Sequence, residues 1–264
     1  MSIRIAGNMG SFYPSEIKEI ERYIEAFDQF EKDLKKPQLT VTPKAIISPH
    51  AGYIYSGFTA NIAHKLLAKR KVKRVVVIGP SHHVFFEGVS GSFFDEYQTP
   101  FGNLKIARKL LERLDEKFGL KFIEEAHQKE HSTETQMPFI AHYQPNVKVV
   151  ELIYGKIDYK ELSKIITCLL KDEDTSVVIS SDLSHFYALD QANKLDSICL
   201  EGIKQLDNNL LDKGCEACGI LGIKAIIESS RELGLKTQLL DYRTSADASG
   251  DTQRVVGYMS EVVY

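Results

Sequence analysis

Four short apolar runs rich in Val and Ile constrain this chain most: AIIS at residues 45–48, RVVVIG at 74–79, VKVVELIY at 147–154 and TSVVISS at 175–181. Runs of this length and composition read as strands, and each is followed by a segment with apolar residues at helical spacing, at about residues 57–69, 105–118, 158–171 and 190–206. Strands that are apolar along their whole length are covered on both faces, so the alternation predicts an α/β fold with a central, mostly parallel sheet flanked by helices. Near the end, TQLLDYRT and RVVGYMSEVVY read as two further strands, expected to pair antiparallel at or near an edge. There is no internal repeat or low-complexity tract, and the polar stretch DQFEKDLKKPQ at 28–38 reads as the end of an exposed helix and its exit. One domain over residues 1–264 is expected, and 43% hydrophobic composition supplies its core.

The strand ends carry the chemistry. In IISPHAGYIYSG, Pro49 holds Ser48 extended, which ends the strand and releases His50 into a loop before a helix that Ser56 can cap. After RVVVIG comes PSHH, with His82 and His83; after TSVVISS comes DLSH, with Asp182 and His185. The carboxyl ends of parallel strands lie on one side of an open sheet, so these residues are expected to converge there. Neutral imidazoles with a carboxylate suit a divalent transition metal, for zinc hydrolysis or non-haem iron chemistry. A metal-free histidine acid or base beside Asp182 is the third alternative.

His64 and His142 lie in or near the end of helical patterns, where a solvated or dipole-complementing role is expected. The segment HQKEHSTETQMPFIAHY packs His127, Glu130, His131 and Glu134 ahead of an amphipathic helix. Ser132 or Thr133 is a plausible N-cap, so helix initiation and a site role both explain it.

A formal net charge of −3 and the lack of a basic block argue against nucleic acid as a partner. No apolar run approaches the roughly 18 residues that span a membrane. The stretch MSIRIAGNMGSFYP lacks the apolar core of a secretion signal, so a cytoplasmic location is expected. The four cysteines, Cys168, Cys199, Cys215 and Cys218, form no secreted disulfide framework and are expected reduced. The C-x-x-C of Cys215 and Cys218 has no second pair to complete a zinc site and reads as small buried thiols before the helix ILGIKAIIESSREL.

SPHAGYIYSG, GPSHHV, TPFG at 99–102, EHSTETQMPF, SSDLSHF, ACG at 217–219 and VVGYMS, with the opening MGSFYPSE, follow in the order found in the Memo family, also called AmmeMemoRadiSam system protein B. The resemblance covers essentially the whole chain. It implies the class III extradiol dioxygenase (phosphorylase/hydrolase-like) fold, whose enzymes hold non-haem Fe(II) with two histidines and a glutamate. By motif, His50 and His82 match the metal-binding histidines, and His185, with Asp182 beside it, matches the acid or base. His131 and Glu134 of EHSTE, with His83 and Tyr53, are expected to line the substrate pocket.

Animal members present a third ligand cysteine in a loop before the last strand. The matching stretch here, TSADASGDTQRVVGY, has none, so Asp247 is the expected substitute and Asp251 the runner-up, although both could simply form a turn. The resemblance implies a divalent metal, iron ahead of copper or zinc, and metal-dependent redox or dioxygenase-like chemistry. The alternative is a binding module that takes a peptide or small molecule in the same cleft, flanked by Tyr53, Tyr55 and Phe186. A radical-SAM protein is the pathway partner implied for microbial members, and a homo-oligomer stays open.

Overall fold

The computed structural model describes residues 2–34 and 39–264. The sequence-predicted helix exit at 28–38 is seen only as far as residue 34; residues 35–38 lie outside the described residues. In chain order the N-terminal part runs β1 (Ile3–Arg4), α1 (Ile17–Asp33), β2 (Ala45–Ser48), α2 (Tyr53–Leu67) and β3 (Arg74–Pro80). Short strands β4 (Val89–Gly91), β5 (Glu96–Tyr97) and β6 (Leu104–Lys105) precede α3 (Arg108–Phe118), α4 (Glu124–Gln128), α5 (His131–Glu134) and α6 (Met137–Tyr143). The second half is β7 (Lys148–Tyr154), α7 (Tyr159–Leu170), β8 (Thr175–Ser180), β9 (His185–Tyr187), α8 (Leu189–Lys204), α9 (Asn208–Leu211), α10 (Ile220–Leu233), β10 (Thr237–Thr244), α11 (Ala246–Ser249) and β11 (Val255–Val263).

All four apolar runs are strands, and they form the middle of the main sheet, whose order is β10-β11-β2-β8-β3-β7-β4. The pairings β2 with β8, β8 with β3 and β3 with β7 are parallel. Val75 to Ile78 and Val177 to Ile179 show no exposure, which is why these strands are apolar on both faces. The two C-terminal strands pair antiparallel as their sequence suggests; β11 is antiparallel to β2 as well, and β4 adds antiparallel to β7 at the other edge. The sheet is therefore mixed, with a parallel centre. A separate three-stranded sheet joins β1, β5 and β6. Helices α7 and α10 pack on each other and against β8, while α2 lies on β2, β10 and β11 with α1 and α6 against it.

Helix starts depart from expectation in informative ways. Helix α2 begins at Tyr53 with Gly52 at the N-cap, and Ser56 lies within its first turn, where its Oγ donates to Ala51 O rather than capping. Helix α5 is capped by the Glu130 carboxylate, which accepts from Ser132 N, so neither Ser132 nor Thr133 is the cap. Leu104 and Lys105 pair with Tyr97 and Glu96 as β6, which delays the next helix to Arg108.

The cysteines are not all reduced. Cys199 in α8 is bonded to Cys215, leaving Cys168 and Cys218 free. The residues come together because α8 and the loop after α9 are neighbours at the same end of the fold, a proximity that C-x-x-C spacing does not report.

Candidate metal centre

Strands β2, β3 and β8 end on the same side, and their loops meet. Pro49 carries the chain out of β2, and the His50 N–H donates to Asp182 Oδ1 at 2.7 Å, tying the loop after β2 to the loop after β8. The His50 side chain is buried; its Nδ1 lies 3.0 Å from Ser180 Oγ and its Nε2 3.3 Å from Cys218 Sγ. Burial, aided by the nearby His82, pushes its pKa down to about 3, so the ring is neutral.

His82 stands at the mouth of the site, its ring 5.3 Å from that of His50. Glu130 holds it: Oε1 accepts from His82 Nδ1 at 2.7 Å and Oε2 from the His82 N–H at 2.6 Å. Burial opposes ionisation of Glu130, yet these bonds, with one from Ser132 N, bring its pKa down to about 2. An ionised carboxylate only accepts, so His82 carries its proton on Nδ1 and keeps the Nε2 lone pair for a ligand. The close approach of α5 to β3 needs Gly79, whose absent Cβ would sit 2.6 Å from Ser132 Oγ.

Cys218 arrives from the loop before α10. A Cβ on Gly219 would lie 2.7 Å from Ser180 O and 2.6 Å from Ser181 Cβ, so glycine is what lets this loop close on the end of β8. The Asp182 N–H lies 3.3 Å from Cys218 Sγ. Burial, then the charge of Asp182, pushes the thiol up to about 12. Donor atoms of His50, His82 and Cys218 lie within 4.8 Å of one another.

A second group, His82, Glu130 and His131, satisfies the same distance. Its carboxylate already accepts three N–H donors, two of them from His82, so it reads as the support of the first group. His131 stacks on His82 at 4.6 Å on one side and on Phe12 at 4.6 Å on the other, and His83 lies at 5.8 Å from it; all three histidines border the mouth. Burial pushes His131 down to about 4.

Asp182 is buried, which raises its carboxyl pKa, and its Oδ2 is 4.0 Å from His50 Nε2. His185 opens β9, paired with Val256 of β11, and lies near enough to Asp182 to oppose the effect of burial on that carboxyl. Tyr258 of the VVGYMS segment is a buried phenol, its pKa raised by burial and then by the charge of Asp182.

Four sequence-expected residues lie elsewhere. Asp247 is exposed and accepts from Thr244 N at 2.8 Å, and Asp251 accepts from Gln253 N at 2.8 Å, so both shape the turn, while Cys218 is the third donor grouped with His50 and His82. Glu134 faces away from the mouth: its oxygens take Arg4 Nη1 at 2.7 Å, Asn8 N at 2.7 Å, Gly7 N at 3.0 Å and Tyr13 OH at 2.8 Å, binding the N-terminal segment. Tyr53 is a core residue, stacked on Phe139 at 4.5 Å with its hydroxyl on Thr135 O. His64 is buried rather than solvated, with Nε2 2.7 Å from Gln136 Oε1. His127 is buried between Ser90 and Glu151. The residues missed from sequence are Cys218, Glu130 as a support and Ser180; each stood in a motif (ACG, EHSTE, SSD) whose role in bringing loops together is invisible one segment at a time.

Fold and site together define an α/β protein with a histidine–cysteine group at the carboxyl ends of the parallel central strands of a mixed sheet. The family model described as Memo-like protein matches residues 4–262. Proteins named MEMO1 family protein are similar over nearly their whole length: one from Aquifex aeolicus is 32% identical, covering 99% of both chains, and one from Methanobrevibacter smithii is 30% identical, covering 96% of both. The chain belongs to the Memo family.

Proposed function

We propose that the protein binds a transition metal through His50 Nε2, His82 Nε2 and Cys218 Sγ, and uses it for redox chemistry on a small ligand admitted at the mouth. The observation that carries this is the donor set itself: His50, His82 and Cys218 offer donor atoms within 4.8 Å, and Glu130 leaves the His82 Nε2 lone pair free. Two imidazoles and one thiolate are softer than two imidazoles and a carboxylate, which brings Cu(I) and Zn(II) closer to Fe(II) in preference. Iron stays the favoured metal because the Memo family that the sequence resembles is similar in fold to the class III extradiol dioxygenases, which use iron. Bound there, such a metal supplies a Lewis acid and, for iron or copper, a one-electron centre.

The chain's own groups do the rest. Cys218, whose thiol burial keeps protonated, would give up that proton to hold a cation. Asp182, 4.0 Å from His50 Nε2 with its carboxyl raised by burial, would hold a proton there, and His185 would exchange it with the ligand. His131 and His83 face the incoming ligand at the mouth.

The test is metal content of anaerobically purified protein after separate addition of Fe(II), Cu(I) or Zn(II). Wild type and Asp247→Ala are expected to hold near-stoichiometric metal, His50→Ala and His82→Ala to lose it, and Cys218→Ala to bind at least roughly tenfold more weakly. Equal losses in Asp247→Ala and Cys218→Ala would sink the assigned ligand set.

A second reading has its own observation. Ile54, Tyr55, Phe85 and Phe186 are exposed large apolar residues within a few positions of His50, His83 and His185, and Phe186 has a φ of 66°. A rim of this kind fits a binding cleft without turnover. Ligand affinity that survives chelation favours this second reading; its loss favours the metal centre.

A further inference from the structure

The proton positions around His50 follow from partners that can play one role only. Gln136 Nε2 lies 2.9 Å from Pro49 O and 2.9 Å from Ser180 Oγ. A carbonyl oxygen only accepts, so the amide NH₂ of Gln136 is on that side, and its Oε1 faces His64 Nε2 at 2.7 Å. His64 therefore carries its proton on Nε2, which agrees with an Nδ1 that has no partner.

Ser180 Oγ is also bonded to Ser132 O, another oxygen that only accepts. The one hydroxyl hydrogen of Ser180 is committed there. Toward Gln136 and His50 it can offer only lone pairs, so His50 Nδ1, 3.0 Å away, is the donor. Any other assignment sets two oxygen lone pairs against each other in a buried space. A neutral imidazole protonated on Nδ1 has its lone pair on Nε2, the atom that faces Cys218 Sγ at 3.3 Å.

Building on the reading of the site as a metal centre, we propose that Ser180 is a positioning residue that fixes the tautomer of His50 through its bond to Ser132 O, with Gln136 holding its hydroxyl from the other side. The two imidazoles are thus preset by different devices, His82 by the Glu130 carboxylate and His50 by a hydroxyl. A hydroxyl suits His50 because Asp182 already places a buried carboxylate 4.0 Å from Nε2, and a second one would raise the cost of ionising both. Without Ser180, His50 gains by moving its proton to Nε2, where Asp182 and the Cys218 sulfur can accept it.

The test is a long-range ¹H–¹⁵N correlation spectrum of the histidine rings in the full chain freed of metal by chelation, with His50 assigned from a His50→Gln spectrum. Wild type is expected to show a protonated Nδ1 and a bare Nε2 at His50; the reverse pattern overturns the proposal. Ser180→Ala is expected to move the proton to Nε2 and to weaken Co(II) binding about 10- to 100-fold, and Ser180→Thr to restore the wild-type pattern. An unchanged tautomer in Ser180→Ala also overturns it. If Ser180→Ala does not fold, the wild-type tautomer decides. A wild type with protonated Nδ1 that binds no Co(II) supports the role of Ser180 and removes the metal reading, so the two failures are told apart.

Discussion

Glu261 lies on β11 inside the main sheet, in register with Ile47 of β2 and Leu239 of β10, and its Oε1 takes no hydrogen bond. Burial pushes its carboxyl up to about 8, only partly opposed by a bond from Thr237. The unfolded chain releases this proton near 4.5 and the folded one only near 8, so stability falls as pH rises between those values and is level outside them. Glu261→Gln is expected to remove that slope and to stabilise the protein at pH 8 by on the order of a few kcal/mol, several degrees in Tm. Thermal melts from pH 4.5 to 8.5 check this; parallel curves for the two proteins would show that Glu261 does not set the slope. Single residues were also where the sequence was least legible. His50 and His82 could be placed because each follows a strand whose end is written locally. Cys218 could not, because it reaches His50 across 168 positions of chain. Nor could Glu134, whose direction is set by Arg4, Asn8 and Tyr13 of the distant N-terminal segment.

Among the elements, the loop between α9 and α10 has little regular structure of its own yet delivers Cys218. The Cys199–Cys215 bond anchors it to α8 across a separation of 16 residues. Closing a loop of that length constrains the unfolded chain by about 3 kcal/mol. Reduction is expected to lower the denaturation midpoint of wild type accordingly and to leave Cys199→Ala/Cys215→Ala unmoved. Thiol titration in denaturant without reductant should count two thiols, Cys168 and Cys218; four would remove the bond from the account. Helices and strands were legible because periodicity is a property of the segment itself, as in ILGIKAIIESSREL, which is α10 from first residue to last. Pairing across the fold, whether of sulfurs or of loops, has no such local signature.

At the scale of the whole molecule, the last strand is structural rather than terminal trimming. Strand β11 lies between β10 and β2 and also pairs with β9. It buries Val255, Tyr258, Met259, Val262 and Val263. At ~1.5–3 kcal/mol for each fully buried side chain, their sum is comparable to the ~5–15 kcal/mol that a native domain has in total. Deletion of residues 255–264 is therefore expected to abolish cooperative unfolding, as read by circular dichroism; a sharp melt in the truncated chain would show that the sheet closes without β11. The sheet order has one more consequence, for the order in which the chain is made. Strand β2 is translated early, yet both its neighbours, β8 and β11, come from the second half. On a ribosome adding ~5–20 residues per second, β2 waits on the order of 10 s for β8 and longer for β11, with an apolar edge uncovered meanwhile. Because β9, which carries His185, is also pinned by β11, that side of the candidate site takes shape only after β11 has been made.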